Sequence, residues 1–250
     1  NGAETEVSPE GPGGTLHTFA ETPPLASYLF AFAAGPFVGK RFEVVIPGRA
    51  TPVQVGLWSR GSLEKHLSYD LFQKMTSQAF TYFGDLFGRE YPFEKLDHVY
   101  CPEFNVGAME NVGLISYTER YIFLSTPTPS DVTDLAEVVF HEIAHMWFGN
   151  LVTMQWFNDV WTKEVFANFM AAKIVNPAFP EVDHELRFHT AHHPSAYAVD
   201  RTLGANAIGQ PLENLRYAGT LYGAIIYQKA PIVMRHLEDL IGQDSLREGL

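Results

Sequence analysis

The sequence has a single cysteine, Cys101, and no long uninterrupted hydrophobic run. One cysteine excludes an internal disulfide framework, although it leaves the cellular compartment undecided. The longest apolar stretches are cut by glycine, proline or charged residues, so we predict no membrane segment. The chain shows no signal-peptide pattern and no initiator methionine. These absences slightly favour a soluble, cytoplasmic protein, and we expect the chain to be a fragment of a longer one.

Positive charge is also scarce. The chain has 17 Lys and Arg residues against 29 Asp and Glu residues, and its formal net charge is −12. This balance argues against nucleic acid or an anionic membrane as the main partner, and it is consistent with a cationic ligand such as a free amine. Hydrophobic residues make up 46% of the 250 residues and charged residues 18%, which is ordinary for a globular protein.

The order of the segments predicts the fold class. Residues 1–15, rich in Gly, Pro and Glu, predict a loop. Apolar runs separated by turn residues predict strands before and after one long helix, the second group ending at Leu124. The rest is mostly helical, with loops and short helices over 177–215 and a last long helix bent near Pro231. Strands followed by helices favour an α+β fold, in which a mixed sheet carries a helical layer.

The stretch HEIAH is the strongest chemical signal. Positions i and i+4 of a helix share a face, so His141 and His145 can direct two imidazole nitrogens at one ion. Glu142 can reach a water on that ion without ligating it. Two imidazoles and one carboxylate are typical of catalytic zinc, which acidifies a bound water whose proton a nearby carboxylate can accept. The alternative is a chance match on a buried helix with satisfied histidines.

A third metal ligand is predicted on the next helix. Glu164 follows His145 after 18 residues, which leaves room for a loop and for a second helix that runs back past the metal. Trp161, Phe166 and Phe169 flank Glu164, and a carboxylate among such side chains needs a partner. We therefore predict one Zn²⁺ per chain, held by the two motif histidines and Glu164. The alternative for Glu164 is a surface or salt-bridged glutamate.

Two further elements join this motif. GAMEN occupies residues 107–111 and YQKAP occupies residues 227–231. Together with HEIAH and the 18-residue gap to Glu164, they resemble the zinc aminopeptidases of the aminopeptidase N type, within the gluzincin metallopeptidases. The resemblance covers about residues 20–250.

The resemblance implies a role for each site residue. His141, His145 and Glu164 would be the zinc ligands, and Glu142 would be the general base. Tyr227 would donate a hydrogen bond to the oxyanion that develops during hydrolysis. From the residues alone, Tyr227 would be a core tyrosine on an apolar helix face.

GAMEN is predicted to bind substrate through Gly107, Ala108, Met109, Glu110 and Asn111. The segment lies between two strand-like runs, so its backbone can pair with an extended peptide along a sheet edge. The small residues Gly107 and Ala108 permit close backbone approach. Glu110 would pair with the peptide's free α-ammonium and so restrict cleavage to the first residue. The alternative is a β-turn with an exposed glutamate.

This chain departs from the family pattern near the third ligand. Lys163 and Val165 stand where the family usually has asparagine and glycine, and Ala230-Pro231 follow the tyrosine element where Gly-Ala is common. None of these changes removes a predicted metal ligand, although Val165 adds bulk beside the metal-binding helix.

The resemblance also implies a domain division. Residues 1–47 would be the last strands of an N-terminal β-domain, and residues 48–250 a thermolysin-like zinc peptidase domain truncated at its C-terminal end. In the family, the preceding β-domain and a C-terminal helical domain complete the cavity, and we expect the same of the parent protein.

We therefore predict a zinc-dependent aminopeptidase that acts on peptides with a free N-terminus. One alternative is a related gluzincin activity, either an endopeptidase or an epoxide hydrolase. Another is a non-catalytic binding scaffold. The complete set of predicted ligands and base favours an enzyme, because catalytically dead relatives typically lose one of them.

Overall fold

The computed structural model describes residues 1–250. Its strands are β1 (Glu4–Glu10), β2 (Gly14–Phe19), β3 (Phe37–Val44), β4 (Val53–Arg60), β5 (Lys95–Cys101), β6 (Ala108–Met109) and β7 (Leu114–Thr118). Its helices are α1 (Tyr69–Phe87), α2 (Pro129–Ala144), α3 (Val160–Ala178), α4 (His184–Asp200), α5 (Ala230–Ile241) and α6 (Gln243–Gly249). Strands thus precede most of the helices, and the predicted α+β class is confirmed.

A five-stranded mixed sheet underlies the helices, with the strand order β3-β4-β5-β7-β6. The pairs β4–β5 and β5–β7 are parallel, whereas β3–β4 and β6–β7 are antiparallel. The central strand β5 is buried from Leu96 to Tyr100, as expected for a strand covered on both faces. The two-residue strand β6, which lies within GAMEN, is left at the edge of the sheet.

Helix α1 packs against the sheet through an apolar stripe. Its buried residues recur at helical spacing and include Phe72, Met75, Phe80 and Phe83. The helix ends at Gly88, whose φ of 62° lies in the left-handed region that glycine adopts without strain. The sheet, α1, α2 and α3 share one hydrophobic core. None of the helices combines the length and the apolar composition needed to cross a membrane.

Two local predictions near the sheet were wrong. Residues 1–15 were predicted as a loop, but β1 and β2 form an antiparallel hairpin. Its turn contains Gly11 and Gly13 at positive φ, a geometry that favours glycine. The apolar run 121–124 was predicted as a strand, but only the 3₁₀ helix Glu119–Tyr121 occurs there.

The helical half also departs from its prediction. Residues 177–215 were predicted to be loops with short helices, but they contain the 17-residue helix α4. Asp183 caps this helix by accepting a hydrogen bond from the Leu186 N–H at 3.0 Å. The helix was not predicted from the sequence, because Pro194 lies inside it and its apolar residues do not recur along one face.

The predicted domain boundary falls between two paired strands. β3 and β4 lie on either side of residue 47 and pair along their whole length, from Phe37 opposite Arg60 to Val44 opposite Val53. The division into residues 1–47 and 48–250 stays a prediction.

The core contains one histidine whose neutral form is required. His98 on β5 is fully buried, and its Nδ1 lies 2.9 Å from the Tyr117 hydroxyl. Burial lowers the pKa of His98 to about 3. An unfolded histidine has a pKa of about 6.5. The stabilisation by neutral His98 is therefore complete above pH 6.5 and is lost as the pH falls from there toward 3.

We expect this group to lower the free energy of unfolding by up to about 1.4 kcal/mol per pH unit below pH 6.5. Urea denaturation at pH 7 and pH 5 measures the effect in wild type and His98→Gln. The variant should be less stable at pH 7 but should lose less stability between the two pH values. An equal loss in both proteins would contradict the assignment.

Candidate active site

The helix that carries HEIAH begins at a strong N-terminal signal. The Thr128 hydroxyl accepts a hydrogen bond from the Asp131 N–H, and the Asp131 carboxylate accepts one from the Thr128 N–H. This reciprocal capping and Pro129 at the first helical position fix where α2 starts. The buried face of the helix, which includes Leu135, Val139 and Phe140, packs in the core. The last turn of α2 thereby turns its imidazoles toward α3.

The structure brings His141, His145 and Glu164 together. The Nε2 atoms of the two histidines are 3.0 Å apart. Glu164 Oε2 lies 3.4 Å from His141 Nε2 and 3.6 Å from His145 Nε2. Glu164 extends from the first turns of α3, and its side chain is only 4% exposed. Three potential ligand atoms from two helices therefore converge on one point.

This donor set fits a divalent metal ion. His145 Nδ1 donates a hydrogen bond to the Phe148 carbonyl at 3.0 Å, so in the neutral ring Nε2 carries the lone pair. That lone pair faces His141 Nε2 and a carboxylate oxygen, an arrangement that a divalent cation at its centre would stabilise. In a tetrahedral zinc site with bonds of about 2.0–2.2 Å, ligand atoms lie about 3.3–3.5 Å apart, close to the separations found here.

Glu142 lies beside this cluster and is not one of its three converging groups. Its side chain is buried, and its Oε2 has no hydrogen-bond partner. A carboxylate oxygen of Glu142 lies within 4.8 Å of ligand atoms of Glu110 and His145. Burial raises the pKa of Glu142 to about 8. His141 partly opposes this rise, whereas the negative charges of Glu110 and Glu164 add to it. Burial thus favours the protonated form of this carboxyl group.

GAMEN forms the adjoining edge of the sheet. Ala108 and Met109 pair with β7, and the Gly107 carbonyl accepts a hydrogen bond from the Thr118 N–H at 3.0 Å. The three residues are half-buried, so the outer side of β6 is accessible at the site. Glu110 is 4% exposed, unlike the exposed glutamate of the alternative β-turn.

Two asparagines tie GAMEN to its surroundings. The Asn150 side-chain amide donates to the Glu110 carbonyl at 2.8 Å and so joins GAMEN to the loop after α2. Asn111 is buried, and its Oδ1 accepts a hydrogen bond from the Ser116 hydroxyl on β7. Both contacts hold the Glu110 backbone beside the histidine cluster.

Sequence reasoning missed Lys163 as a member of the site. Its Nζ donates to Glu110 Oε1 at 2.6 Å and to Glu164 Oε1 at 2.5 Å, and its side chain is 5% exposed. Burial opposes the charge, but the two carboxylates outweigh it and raise the pKa of Lys163 well above its ordinary value. The sequence signal was present, because Lys163 directly precedes the third predicted ligand in an apolar stretch.

Tyr28 was also missed. It lies in the 3₁₀ helix Ser27–Leu29, its hydroxyl donates to the Gly149 carbonyl at 3.2 Å, and its ring centroid lies 5.6 Å from Lys163 Nζ. Burial raises the pKa of Tyr28 to about 12, so its hydroxyl stays protonated at neutral pH. Residues far before HEIAH in the chain thus help to line the site.

Tyr227 lies on a π-helical turn, Ile225–Lys229, that leads into α5. Pro231 has no N–H to donate back to the Tyr227 carbonyl, which instead accepts a hydrogen bond from the Asn168 side chain of α3 at 3.1 Å. The turn is thereby tied to the helix that carries Glu164. Burial raises the pKa of Tyr227, and the negative charge of Glu164 adds to this effect, so the phenol remains a hydrogen-bond donor. Tyr222 stacks beside it.

The histidines of residues 184–193 do not join the site. They lie on α4, where His189 is exposed and its ring centroid lies 4.4 Å from that of His193. The clusters with metal-ligand spacing consist only of His141, His145 and Glu164, and of Glu110, Glu142 and His145.

The fold and the site define the class. An α+β fold carries two histidines one helical turn apart, a glutamate between them and a second glutamate on the next helix, as in the HExxH metallopeptidases. The particular family follows from a match over residues 72–250 to the Peptidase family M1 domain. The chain belongs to this family.

Relatives within the family share this region. Aminopeptidase N of Streptomyces lividans is 32% identical over 241 residues, which cover 96% of this chain and 28% of that protein. Aminopeptidase N of Oryctolagus cuniculus is 33% identical over 253 residues, which cover 97% of this chain and 25% of that protein. The puromycin-sensitive aminopeptidase of Caenorhabditis elegans is 32% identical, with 93% and 24% covered. The chain therefore spans about a quarter of the length of these relatives.

Zinc is expected to stabilise the folded protein, because the converging groups form one site only when α2 and α3 are packed. A ligand at 1,000 times its dissociation constant adds about 4 kcal/mol to the free energy of unfolding. Glu164→Ala and His141→Ala should each lose bound metal and the associated rise in Tm. Metal content and scanning calorimetry check this, with His189→Ala as the matched control. Zinc bound to Glu164→Ala with wild-type affinity would contradict the ligand assignment.

Proposed function

We propose that the chain is the catalytic part of a metal-dependent aminopeptidase that removes the first residue of peptides. The observation that carries this proposal is the convergence of His141, His145 and Glu164 beside the buried carboxylates of Glu142 and Glu110. Membership of peptidase family M1 and the names of its relatives support the reaction class. The predicted N- and C-terminal domains of the parent protein would complete the cavity.

His141, His145 and Glu164 would hold one zinc ion per chain. The ion would supply a Lewis acid and a bound water of lowered pKa. The chain supplies the orientation of these ligands: the Phe148 carbonyl fixes the ring of His145, and Lys163 holds the second oxygen of Glu164.

Glu142 is the proton carrier in this proposal. Its Oε2 has no hydrogen-bond partner and is free to accept a proton from the attacking water. A divalent cation held by the neighbouring ligands would favour the ionised form of Glu142, which is the form that accepts a proton. Burial favours the protonated form, so Glu142 can then hold the proton and release it to the departing amine. Because Glu142 lies next to His141 on the same helical turn, one element positions both the proton carrier and a metal ligand.

The peptide would lie along β6. The edge of this strand can pair with the backbone of an extended ligand, whatever its side chains. Glu110, at the end of β6, would pair with the α-ammonium and set where the peptide begins. The buried position of Glu110 favours an exopeptidase over an endopeptidase, because it closes the path that residues before the cleaved bond would need.

Tyr227 would stabilise the oxyanion that forms on the cleaved carbonyl. The protonated phenol, held by the bond between its backbone and Asn168, acts as a hydrogen-bond donor. Such a donor is most effective when its position is fixed before the charge develops.

Glu142→Gln tests the proton carrier. The variant should retain one zinc per chain and lose nearly all hydrolysis of a peptide, because the amide cannot accept the proton. Mass spectrometry of the products of the zinc-loaded wild type should show stepwise loss of single N-terminal residues. Glu137→Gln on the same helix is the control and should remain active. Internal cleavage by wild type, or normal turnover by Glu142→Gln, would overturn the proposal.

Tyr227→Phe tests the oxyanion donor. The change removes one hydroxyl from the site, and kcat should fall by about 100- to 1,000-fold, the usual loss for one oxyanion donor. KM should change little, since the bond strengthens only as charge develops. Steady-state kinetics measure both values, with the exposed Tyr197→Phe as control. A variant with wild-type kcat would reject this role for Tyr227.

A further inference from the structure

Lys163 occupies the pocket between two of the carboxylates that the proposed function uses. It lies in the first turn of α3, and its Nζ is 2.6 Å from Glu110 Oε1 and 2.5 Å from Glu164 Oε1. Glu164 directs its other oxygen at the two histidines. The ammonium group therefore neither competes with the histidines nor faces solvent, and it bridges Glu110 to the predicted metal ligand.

The surroundings of Lys163 Nζ form a built cation site. Two buried carboxylates accept its hydrogen bonds, and the Tyr28 ring lies beside it with the centroid at 5.6 Å. The stem is packed as well: a Cβ at Gly149 would lie 3.4 Å from Lys163 Cδ.

The α-ammonium of a peptide and the ammonium of lysine offer the same chemistry, namely one positive charge and up to three N–H donors. We propose that Lys163 is a specificity-determining residue that occupies the amine subsite and competes with the substrate's α-ammonium for Glu110. The inference rests on the proposed role of Glu110.

Charge balance supports the competition. Lys163 Nζ already pairs with both Glu110 and Glu164, so the carboxylate that would receive an α-ammonium has a cationic partner. A second ammonium in this buried region would leave a positive charge without a partner, which is costly. A free α-ammonium must therefore displace Lys163 Nζ, whereas a neutral N-terminal group has no such requirement. The site should prefer free amines much less than a site with an unpaired glutamate would.

The residue type at position 163 also supports a role in specificity. The family pattern usually has the neutral residue asparagine at the position of Lys163, directly before the third ligand. The lysine adds to this chain a charge that the general pattern lacks, at the one position from which it reaches both Glu110 and Glu164.

The test compares two zinc-binding probes that differ only in the α-amino group: leucine hydroxamate and 4-methylpentanoyl hydroxamate. Isothermal titration calorimetry on the zinc-loaded protein gives their Kd ratio, which is the preference for the amine. We expect wild type to show a preference below about tenfold, and Lys163→Met to raise it by about tenfold or more, the value of one charge-assisted hydrogen bond. Lys163→Arg, which retains the charge, should resemble wild type.

Lys173→Met is the matched control, because Lys173 is a part-buried lysine of the same helix that pairs with Glu238 away from the site. General damage to the site weakens the binding of both probes equally and cancels in the ratio, so the ratio reports only on recognition of the amino group. An unchanged or smaller ratio in Lys163→Met would therefore overturn the inference. A wild-type preference of 100-fold or more would overturn it as well, and this measurement does not require any variant to fold.

The outcomes for the two proposals can be separated. If no form of the protein cleaves peptides but the ratio rises in Lys163→Met, the aminopeptidase assignment fails and the role of Lys163 stands. If wild type removes N-terminal residues but the Kd ratio does not change in Lys163→Met, the aminopeptidase assignment stands and the role of Lys163 fails.

Discussion

The packing of the last turn of α2 against the first turns of α3 is the constraint on which the site depends. It brings two imidazole nitrogens within 3.0 Å of each other and within 3.4–3.6 Å of one carboxylate oxygen. A divalent cation would stabilise such a concentration of lone pairs, so we expect the packing that stabilises the core also to favour metal binding. The capping of α2 at Thr128, the core face of both helices and the bond from His145 to Phe148 all serve this geometry.

The site also buries an unusual number of charged side chains. Glu110, Glu142 and Glu164 come from a strand end and two helices, and each is nearly inaccessible to solvent. Lys163 joins two of them, Glu110 and Glu164, through one ammonium group. The carboxylate without a lysine partner, Glu142, is the one with the raised pKa. Burial and pairing therefore give chemically identical groups different properties.

Much of this arrangement was predictable from the sequence, because short-range periodicity carries it. The spacing of His141 and His145 follows directly from the pitch of a helix, and the order of strands and helices predicted the α+β class. Lys163 was not predicted, because neighbouring helical residues normally diverge and only the long lysine stem lets both Lys163 and Glu164 reach the same pocket. Helix α4 was hidden by Pro194 and by a stripe too weak to recognise, and the β1–β2 hairpin by the glycines of its turn.

Gly149 connects two parts of the site that are otherwise separate. Its φ of 129° belongs to glycine, and a Cβ there would lie 3.1 Å from His145 Nδ1 and 3.4 Å from Lys163 Cδ. A single added methyl group would thus crowd a predicted metal ligand and touch the stem of the neighbouring lysine. We therefore expect a substitution of Gly149 to disturb the ring of His145 directly and to leave less freedom for Lys163.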